Sequence, residues 1–122
     1  MKKLNVLIVD DSISIRISLQ KMLSRMDHIN IVGEADSVGQ ARELLKTVKP
    51  DITLLDLNLN DGSGYEVLKA IKSSTNPHTV IILTNYSAEQ FKSKALENGA
   101  DYFFEKLKEF DKVIDLLNKL GA

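Results

Sequence analysis

The chain has 122 residues, the length of one typical domain, and 43% of them are hydrophobic, which is enough for a core without disulfide bonds. Its 16 basic and 17 acidic residues give a formal net charge of −1, so a broad nucleic-acid-binding surface is not expected. The absence of cysteine excludes disulfides and thiolate metal sites, and no apolar run is long enough for a membrane-spanning helix. We therefore expect one soluble cytoplasmic domain that covers residues 1–122.

Five short apolar runs, rich in β-branched residues, alternate along the chain with helical patterns. Most of the runs are continuously apolar, which is typical of strands that are covered on both faces, and such strands are usually parallel. The predicted strands are Val6–Val9, Ile29–Val32, Ile52–Leu55, Val80–Leu83 and Tyr102–Phe104.

After each strand, apolar residues recur at helical spacing and predict an amphipathic helix. The five apolar stripes are Ile15, Leu19, Met22, Leu23 and Met26; Val38, Ala41, Leu44, Leu45 and Val48; Val67, Leu68 and Ile71; Ala88, Phe91, Ala95 and Leu96; and Phe110, Val113, Ile114, Leu117 and Leu120. Ser37 and Ser87 are placed as N-caps, Gly99 ends the fourth helix, and Pro50 and Pro77 follow helices. This order predicts an α/β fold of five βα units, with helices on both faces of one open parallel sheet.

Polar residues follow the predicted strands at their carboxyl ends, the edge where ligands bind in parallel α/β sheets. They are Asp10 and Asp11, Asp56, Thr84 and Asn85, and Glu105 and Lys106. Neighbouring carboxylates repel unless a cation lies between them, and oxygen ligands without His or Cys suit Mg²⁺. A lysine and a hydroxyl suit phosphate, and aspartate can accept a phosphoryl group. The set indicates a phosphoryl site, although each acid alone could stabilise a helix N-terminus or a turn.

Over essentially its whole length the chain resembles the receiver domains of two-component response regulators. The motifs that carry the resemblance are LIVDDS at the first strand, LLDLNLNDGSG around Asp56, ILTN at the fourth strand and DYFFEK at the fifth. The resemblance implies a flavodoxin-like (βα)5 fold, a doubly wound parallel five-stranded sheet with strand order 2-1-3-4-5. That order makes the first and third strands neighbours.

The resemblance also implies how the acids act. Asp56 would accept a phosphoryl group from a sensor histidine kinase or a phosphotransfer protein. Mg²⁺ would be bound directly by Asp11 and Asp56, by Asp10 through water, and by the backbone carbonyl of Asn58. Asn58 and Tyr86 would flank the water that hydrolyses the phosphoryl group.

The remaining residues of the motif would form a switch. Thr84 and Lys106 would contact phosphoryl oxygens, and the Phe103 ring would follow the Thr84 hydroxyl inward. The face built from the fourth helix, fifth strand and fifth helix would then bind a downstream protein target. The chain would be a monomer or weak dimer, without direct nucleic-acid or membrane contacts. It would not be an enzyme beyond promoting its own phosphorylation and dephosphorylation.

Three residues depart from the family pattern. Asn60 stands where a proline is common, and Phe103 lacks the hydroxyl of the usual tyrosine. Leu107 stands where a cis proline usually follows the lysine. Because a cis bond without proline costs about 3–4 kcal/mol, we predict a trans bond and a rearranged loop after Lys106.

Three other functions are compatible with this fold. A flavin-binding flavodoxin needs a hydroxyl- and glycine-rich phosphate loop, where this chain has two acids. A nucleoside-triphosphate enzyme needs a G-x-x-x-x-G-K-[ST] loop, which the sequence lacks. A pseudo-receiver, which binds partners without being phosphorylated, stays open because of Leu107. His28 and His78 are isolated in the sequence, and we expect them on the surface.

Overall fold

The computed structural model describes residues 3–85 and 89–120. Its strands in chain order are β1 (Leu4–Val9), β2 (Ile29–Ala35), β3 (Ile52–Leu55), β4 (Asn58–Leu59), β5 (Gly62–Ser63), β6 (Thr79–Thr84) and β7 (Tyr102–Glu105). Five of them form one parallel sheet in the order β2-β1-β3-β6-β7, while β4 and β5 form a small antiparallel hairpin. The predicted fold class and strand order are therefore confirmed, and the hairpin lies just after Asp56.

The helices are α1 (Ile13–Ser24), α2 (Val38–Leu45), α3 (Gly64–Lys72), α4 (Glu89–Glu97) and α5 (Lys106–Leu120). Ser37 caps α2 as predicted, and Gly99, with φ of +100°, follows the end of α4 in a conformation that favours glycine. The predicted cap Ser87, the apolar residue Ala88 and the site residue Tyr86 lie outside the described residues. Within the described ranges, no helix has the length and apolarity needed to cross a membrane.

The sheet separates two apolar layers, because successive side chains of a strand point to opposite faces. Leu7 and Val9 of β1 pack with residues of α2, α3 and α4, whereas Val6 and Ile8 pack with residues of α1 and α5. All four side chains are fully buried, and each contributes roughly 1.5–3 kcal/mol of hydrophobic free energy. Burial on both faces explains why the strand sequences are continuously apolar.

The junction between β7 and α5 differs from the expected loop. The bond between Lys106 and Leu107 is trans, as predicted, but Lys106 itself begins α5, and the helix is kinked at Glu109 (φ −122°, ψ 15°). The Glu105 N–H donates to Glu109 Oε1 over 3.1 Å. Unlike proline, Leu107 carries a backbone N–H and no ring, so it can continue a helical turn, and the residue is 85% exposed.

Candidate functional site

The carboxyl edge of the sheet brings the three predicted acids together. Asp10 follows β1 and Asp56 follows β3, and these strands are parallel neighbours that pair Val9 with Leu55. One carboxylate oxygen from each of Asp10, Asp11 and Asp56 lies within 4.8 Å of the others. Asp10 and Asp56 are buried, with 3% and 5% exposure, and Asp11 is half-buried. Three carboxylates this close create strong negative potential.

Backbone hydrogen bonds continue the sheet as far as the two buried acids. The Asp10 N–H donates to the Ala35 carbonyl, and the Asp56 N–H donates to the Val9 carbonyl, each over 2.9 Å. The Ser12 N–H donates to Asp10 Oδ1 over 2.9 Å at the point where α1 begins. Rigid strand ends therefore position both carboxylates.

Arg16 supports the acidic turn from α1 and was missed by the sequence analysis. Its Nη1 donates to the Asp10 carbonyl over 2.6 Å, and its Nε lies 3.6 Å from Glu34 Oε1 at the end of β2. These contacts fix the backbone between β1 and α1 across the neighbouring strand. The sequence does contain a signal for Arg16. It is a cation about one turn into the helix that follows the two acids.

Lys106 is the cation that the structure places between two of the acids. Its Nζ lies 2.8 Å from Asp10 Oδ2 and 2.9 Å from Asp56 Oδ2, and the side chain is buried. Burial alone would lower the pKa of Lys106, but its bonds to the two carboxylates outweigh burial and raise the pKa. Burial raises the pKa of Asp10 and outweighs the opposite effect of Lys106. The site thus keeps more negative than positive charge.

A cavity of about 350 Å³ opens beside these charges. It is lined by Asp11, Ser12, Asp56, Asn58, Thr84, Asn85 and Lys106. Thr84 is fully buried as the last residue of β6 and is paired in register with Glu105 of β7. Thr84 and Glu105 are therefore the last residues of their strands, whereas the sequence pattern predicts that they lie just after the strands. Charged, hydroxyl and amide groups converge on one space, which suits a small anion together with a cation.

A larger cavity, of about 590 Å³, lies at the opposite edge of the sheet between the C-terminal ends of α2 and α3. Arg42, Lys46 and Lys49 line it, and Asp51 is the one acid among its described lining residues. Lys46 pairs with Glu43 over 3.0 Å, and cations near the C-terminal end of a helix are favoured by the helix dipole without a ligand. The clustered acids thus identify the smaller cavity as the candidate site.

Gly64 allows the chain to turn back closely against Asp56. A Cβ atom at Gly64 would overlap the Asp56 carbonyl oxygen and would lie 2.9 Å from Leu57 Cα. The Gly64 N–H donates to the Leu57 carbonyl over 2.8 Å, and the Asn58 N–H lies 3.4 Å from Asp56 Oδ1. Any larger residue at position 64 would push apart the backbone that carries Asp56.

Phe103 lies on the strand next to Thr84, with its side chain half-buried. It is paired in register with Ile82 and packs against the layer that contains α3 and α4. Tyr102 and Phe104 pack against the opposite layer. A half-buried ring at this place has room to change its exposure when its neighbours move.

The two histidines are not the isolated surface residues that the sequence analysis expected. His28 is half-buried, and its Nε2 donates to the Leu117 carbonyl in the last turn of α5 over 3.0 Å. His78 is also half-buried and shares a hydrogen bond of 2.6 Å with the fully buried Thr53 hydroxyl. Both contacts join segments distant in sequence, so spacing alone could not reveal them.

Comparisons with known proteins match the sequence to the response regulator receiver domain family over residues 6–118. The sensory transduction protein LytT of Bacillus anthracis is 37% identical over 95% of this chain and 46% of its own length. The response regulator protein VraR of Staphylococcus saprophyticus is 31% identical over 95% of this chain and 56% of its own length. The chain spans about half the length of these curated relatives.

Solved structures agree with the sequence match. The response regulator domain of Thermotoga maritima CheB aligns with a TM-score of 0.86 at 28% identity, covering 98% of this chain and 94% of that one. The signal receiver domain of NarL from Mycobacterium tuberculosis aligns with a TM-score of 0.89 at 28% identity, covering 99% and 98% of the two chains.

Proposed function

Because this chain belongs to the response regulator receiver domain family, we propose that it is a phosphorylation switch of two-component signalling whose acceptor is Asp56. One observation carries the proposal: Asp56 and Asp10 are buried against a single lysine, Lys106, at the mouth of a cavity that Thr84 also lines. Charge held in this way, next to space for a ligand, is typical of a reactive site rather than a structural ion pair.

The donor atoms of the cluster fit Mg²⁺. Asp10, Asp11 and Asp56 offer only carboxylate oxygens, which a hard cation prefers, and Lys106 offsets one of three negative charges. We assign the metal to these acids and to the backbone carbonyl of Asn58, with Asp10 acting through water. When bound, Mg²⁺ would neutralise charge on the transferring phosphoryl group.

In the proposed reaction an Asp56 carboxylate oxygen attacks the phosphorus of the donor. The new O–P bond forms as the P–N bond to the donor histidine breaks, and its electron pair leaves with the imidazole nitrogen. Lys106 then pairs with one phosphoryl oxygen, and the Thr84 hydroxyl donates to another. Each hydrogen bond to a charged group contributes about 1.5–3 kcal/mol. Because these contacts exist only in the phosphorylated protein, they shift the domain between two states.

The proposed partners follow from the same switch. A sensor histidine kinase or a phosphotransfer protein supplies the phosphoryl group, and a downstream protein reads the face formed by α4, β7 and α5. Phe103 belongs to β7 and would report the position of Thr84 to that face. The chain would work in the cytoplasm as one domain, residues 1–122. Its chemistry would be limited to its own phosphorylation and to hydrolysis that resets it.

Intact-mass measurement tests the acceptor directly. We expect wild-type protein with Mg²⁺ and either acetyl phosphate or phosphoramidate to gain the mass of one phosphoryl group. Asp56→Asn and a chelator-treated sample should gain none. The matched control Asp101→Asn, at the opposite edge of the sheet, should be phosphorylated like the wild type. A mass gain in Asp56→Asn, or none in the wild type with both donors, would contradict the proposal.

A further inference from the structure

The turn of the β4–β5 hairpin is joined to the first turn of α2 by the side chain of Asp61. Asp61 Oδ1 accepts a hydrogen bond from the Val38 N–H over 2.6 Å, and Oδ2 accepts one from the Gly39 N–H over 3.0 Å. These N–H groups belong to the first turn of a helix, where no carbonyl of the helix can pair with them. A single exposed carboxylate therefore joins two segments that are 23 residues apart at Val38 and Asp61.

Helix α2 already has a local cap, so Asp61 is an additional contact. The Ser37 hydroxyl accepts a hydrogen bond from the Gln40 N–H over 3.1 Å, which is the usual N-cap arrangement. Asp61 adds a negative charge at the positive end of the helix dipole. The bonds from Gly39 and Val38 also lower the pKa of Asp61. The contact is thus favourable. It differs from the Ser37 cap because Asp61 belongs to the hairpin and not to the residues next to α2.

The hairpin is anchored from below as well as from α2. Leu57 and Leu59 are each 5% exposed and belong to the apolar layer under α2 and α3. On the outer side, the Asn60 amide lies 3.4 Å from the Asp36 carbonyl. Asn58 lies between these anchors, exposed, in register with Ser63. The position of its backbone therefore depends on both the apolar packing and the contact with α2.

We propose that Asp61 is a positioning residue for the metal site, because it fixes the hairpin whose Asn58 carbonyl is assigned to Mg²⁺. This inference rests on the proposed function. It also gives this turn a restraint at the position of Asn60, where the resemblance to receiver domains implies that a proline is common. A proline restricts the unfolded loop, whereas here two hydrogen bonds from Val38 and Gly39 restrict the folded one.

Two variants that each remove one cap from α2 separate positioning from simple helix stability. Ser37→Ala removes the local cap, and Asp61→Ala removes the cap that comes from the hairpin. Both should lower the melting temperature. Only Asp61→Ala should speed amide hydrogen exchange across residues 58–63 in metal-free protein. It should also weaken Mg²⁺ binding, measured by calorimetry, by about tenfold, the low end of the loss expected for a residue that supports a metal ligand. Ser37→Ala should bind Mg²⁺ like the wild type.

A second substitution gives a rescue test. Asn60 is the first of two turn residues between Leu59 and Gly62, and neither has positive φ, which is typical of a type I turn, where proline is favoured at the first position. Asn60→Pro added to Asp61→Ala should restore part of the Mg²⁺ affinity without restoring the α2 cap, although it also removes the Asn60 amide contact with Asp36. The milder variant Asp61→Asn keeps one acceptor and should lie between wild type and Asp61→Ala.

The outcomes are distinguishable from failure of the proposed function. If the wild type binds no Mg²⁺, the proposed metal site itself is wrong. If the wild type binds Mg²⁺ and Asp61→Ala binds it equally well, the positioning role is overturned. Unchanged hydrogen exchange at residues 58–63 in Asp61→Ala would overturn it as well. Equal loss of affinity in Ser37→Ala would show that α2 stability, and not the hairpin contact, sets the affinity.

Discussion

The two edges of the central sheet contain similar polar residues and use them differently. At the amino edge, half-buried Asp51 and exposed Asp101 have donors close by. Asp51 Oδ2 accepts from the Asn5 N–H over 2.8 Å. Asp101 Oδ2 accepts from the Val80 N–H over 2.8 Å and from Lys72 Nζ over 2.7 Å. These acids connect strand ends, and their carboxylates are paired in structural contacts.

At the carboxyl edge, three carboxylates lie around one lysine, Lys106. The charges there do not balance, and the cavity beside them remains open to a ligand. Desolvated acids in excess of their cations raise the free energy of the folded protein. A bound cation recovers part of that free energy. A buried charge therefore indicates a reactive site when it has too few partners of opposite charge. It indicates a structural contact when its partners are sufficient.

Replacing the lysine at each edge should reveal the largest difference between the edges, measured as a loss of unfolding free energy. Lys106→Met leaves Asp10 and Asp56 buried without a cation, so we expect a loss of about 3 kcal/mol of unfolding free energy in chelator at neutral pH. Lys72→Met breaks a partly exposed pair with Asp101 and should cost about 1 kcal/mol or less. Urea denaturation measures both values. Equal losses would mean that the carboxyl edge carries no excess charge.

Magnesium should stabilise the protein only through the carboxyl edge. At about ten times the dissociation constant, a ligand that binds the folded state alone adds about 1.4 kcal/mol of stability. We expect wild-type protein to gain this amount and Asp11→Asn to gain almost none. Asp101→Asn, the matched loss of one acid at the amino edge, should be less stable than wild type yet gain the same increment. Thermal unfolding with and without Mg²⁺ measures the increments, and an unaltered gain in Asp11→Asn would contradict the metal assignment.

The parts of the molecule that follow from strand patterns could be predicted from sequence. Every residue of Val6–Val9 is apolar and buried on one or the other face, so the pattern identifies the strand and the residue after it. Parallel topology then places Asp10 and Asp56 at the same edge. The strand order itself came from the family resemblance, because apolar periodicity does not specify which strands are neighbours.

Contacts that depend on how separate elements pack could not be predicted. The ion pair between Arg16 and Glu34 depends on the direction in which α1 leaves β1. The contact of Asp61 with Val38 depends on the gap between a hairpin and a helix. The helical turn at Lys106 depends on Glu109, whose carboxylate accepts the Glu105 N–H. Each is a small interaction that the packing of larger elements decides.

Acid should change stability in opposite directions at the two edges. Burial raises the pKa of Asp10 above its ordinary 3.8. The folded state therefore holds a proton on Asp10 more tightly than the unfolded state does. The loss of stability caused by the buried Asp10 charge diminishes as pH falls through its folded pKa towards 3.8. Burial, together with Lys72, lowers the pKa of His78 below its ordinary 6.5, against the weaker opposing effects of Asp51 and Asp101. The contribution of His78 therefore has the opposite sign.

The smallest expected effect is the acid sensitivity that His78 gives to the amino edge. Below pH 6.5 the unfolded state takes up a proton that folded His78 excludes, so stability is lost as pH falls from 6.5 towards the folded pKa. In chelator, His78→Gln keeps a polar partner for Thr53 without a titrating group, and should lose less stability over that window than the wild type. His28→Gln is the matched control, since it removes the other histidine, bonded to Leu117. Urea denaturation across the window measures the slopes. A wild-type slope in His78→Gln would show that His78 does not contribute to the acid sensitivity of the protein in this window.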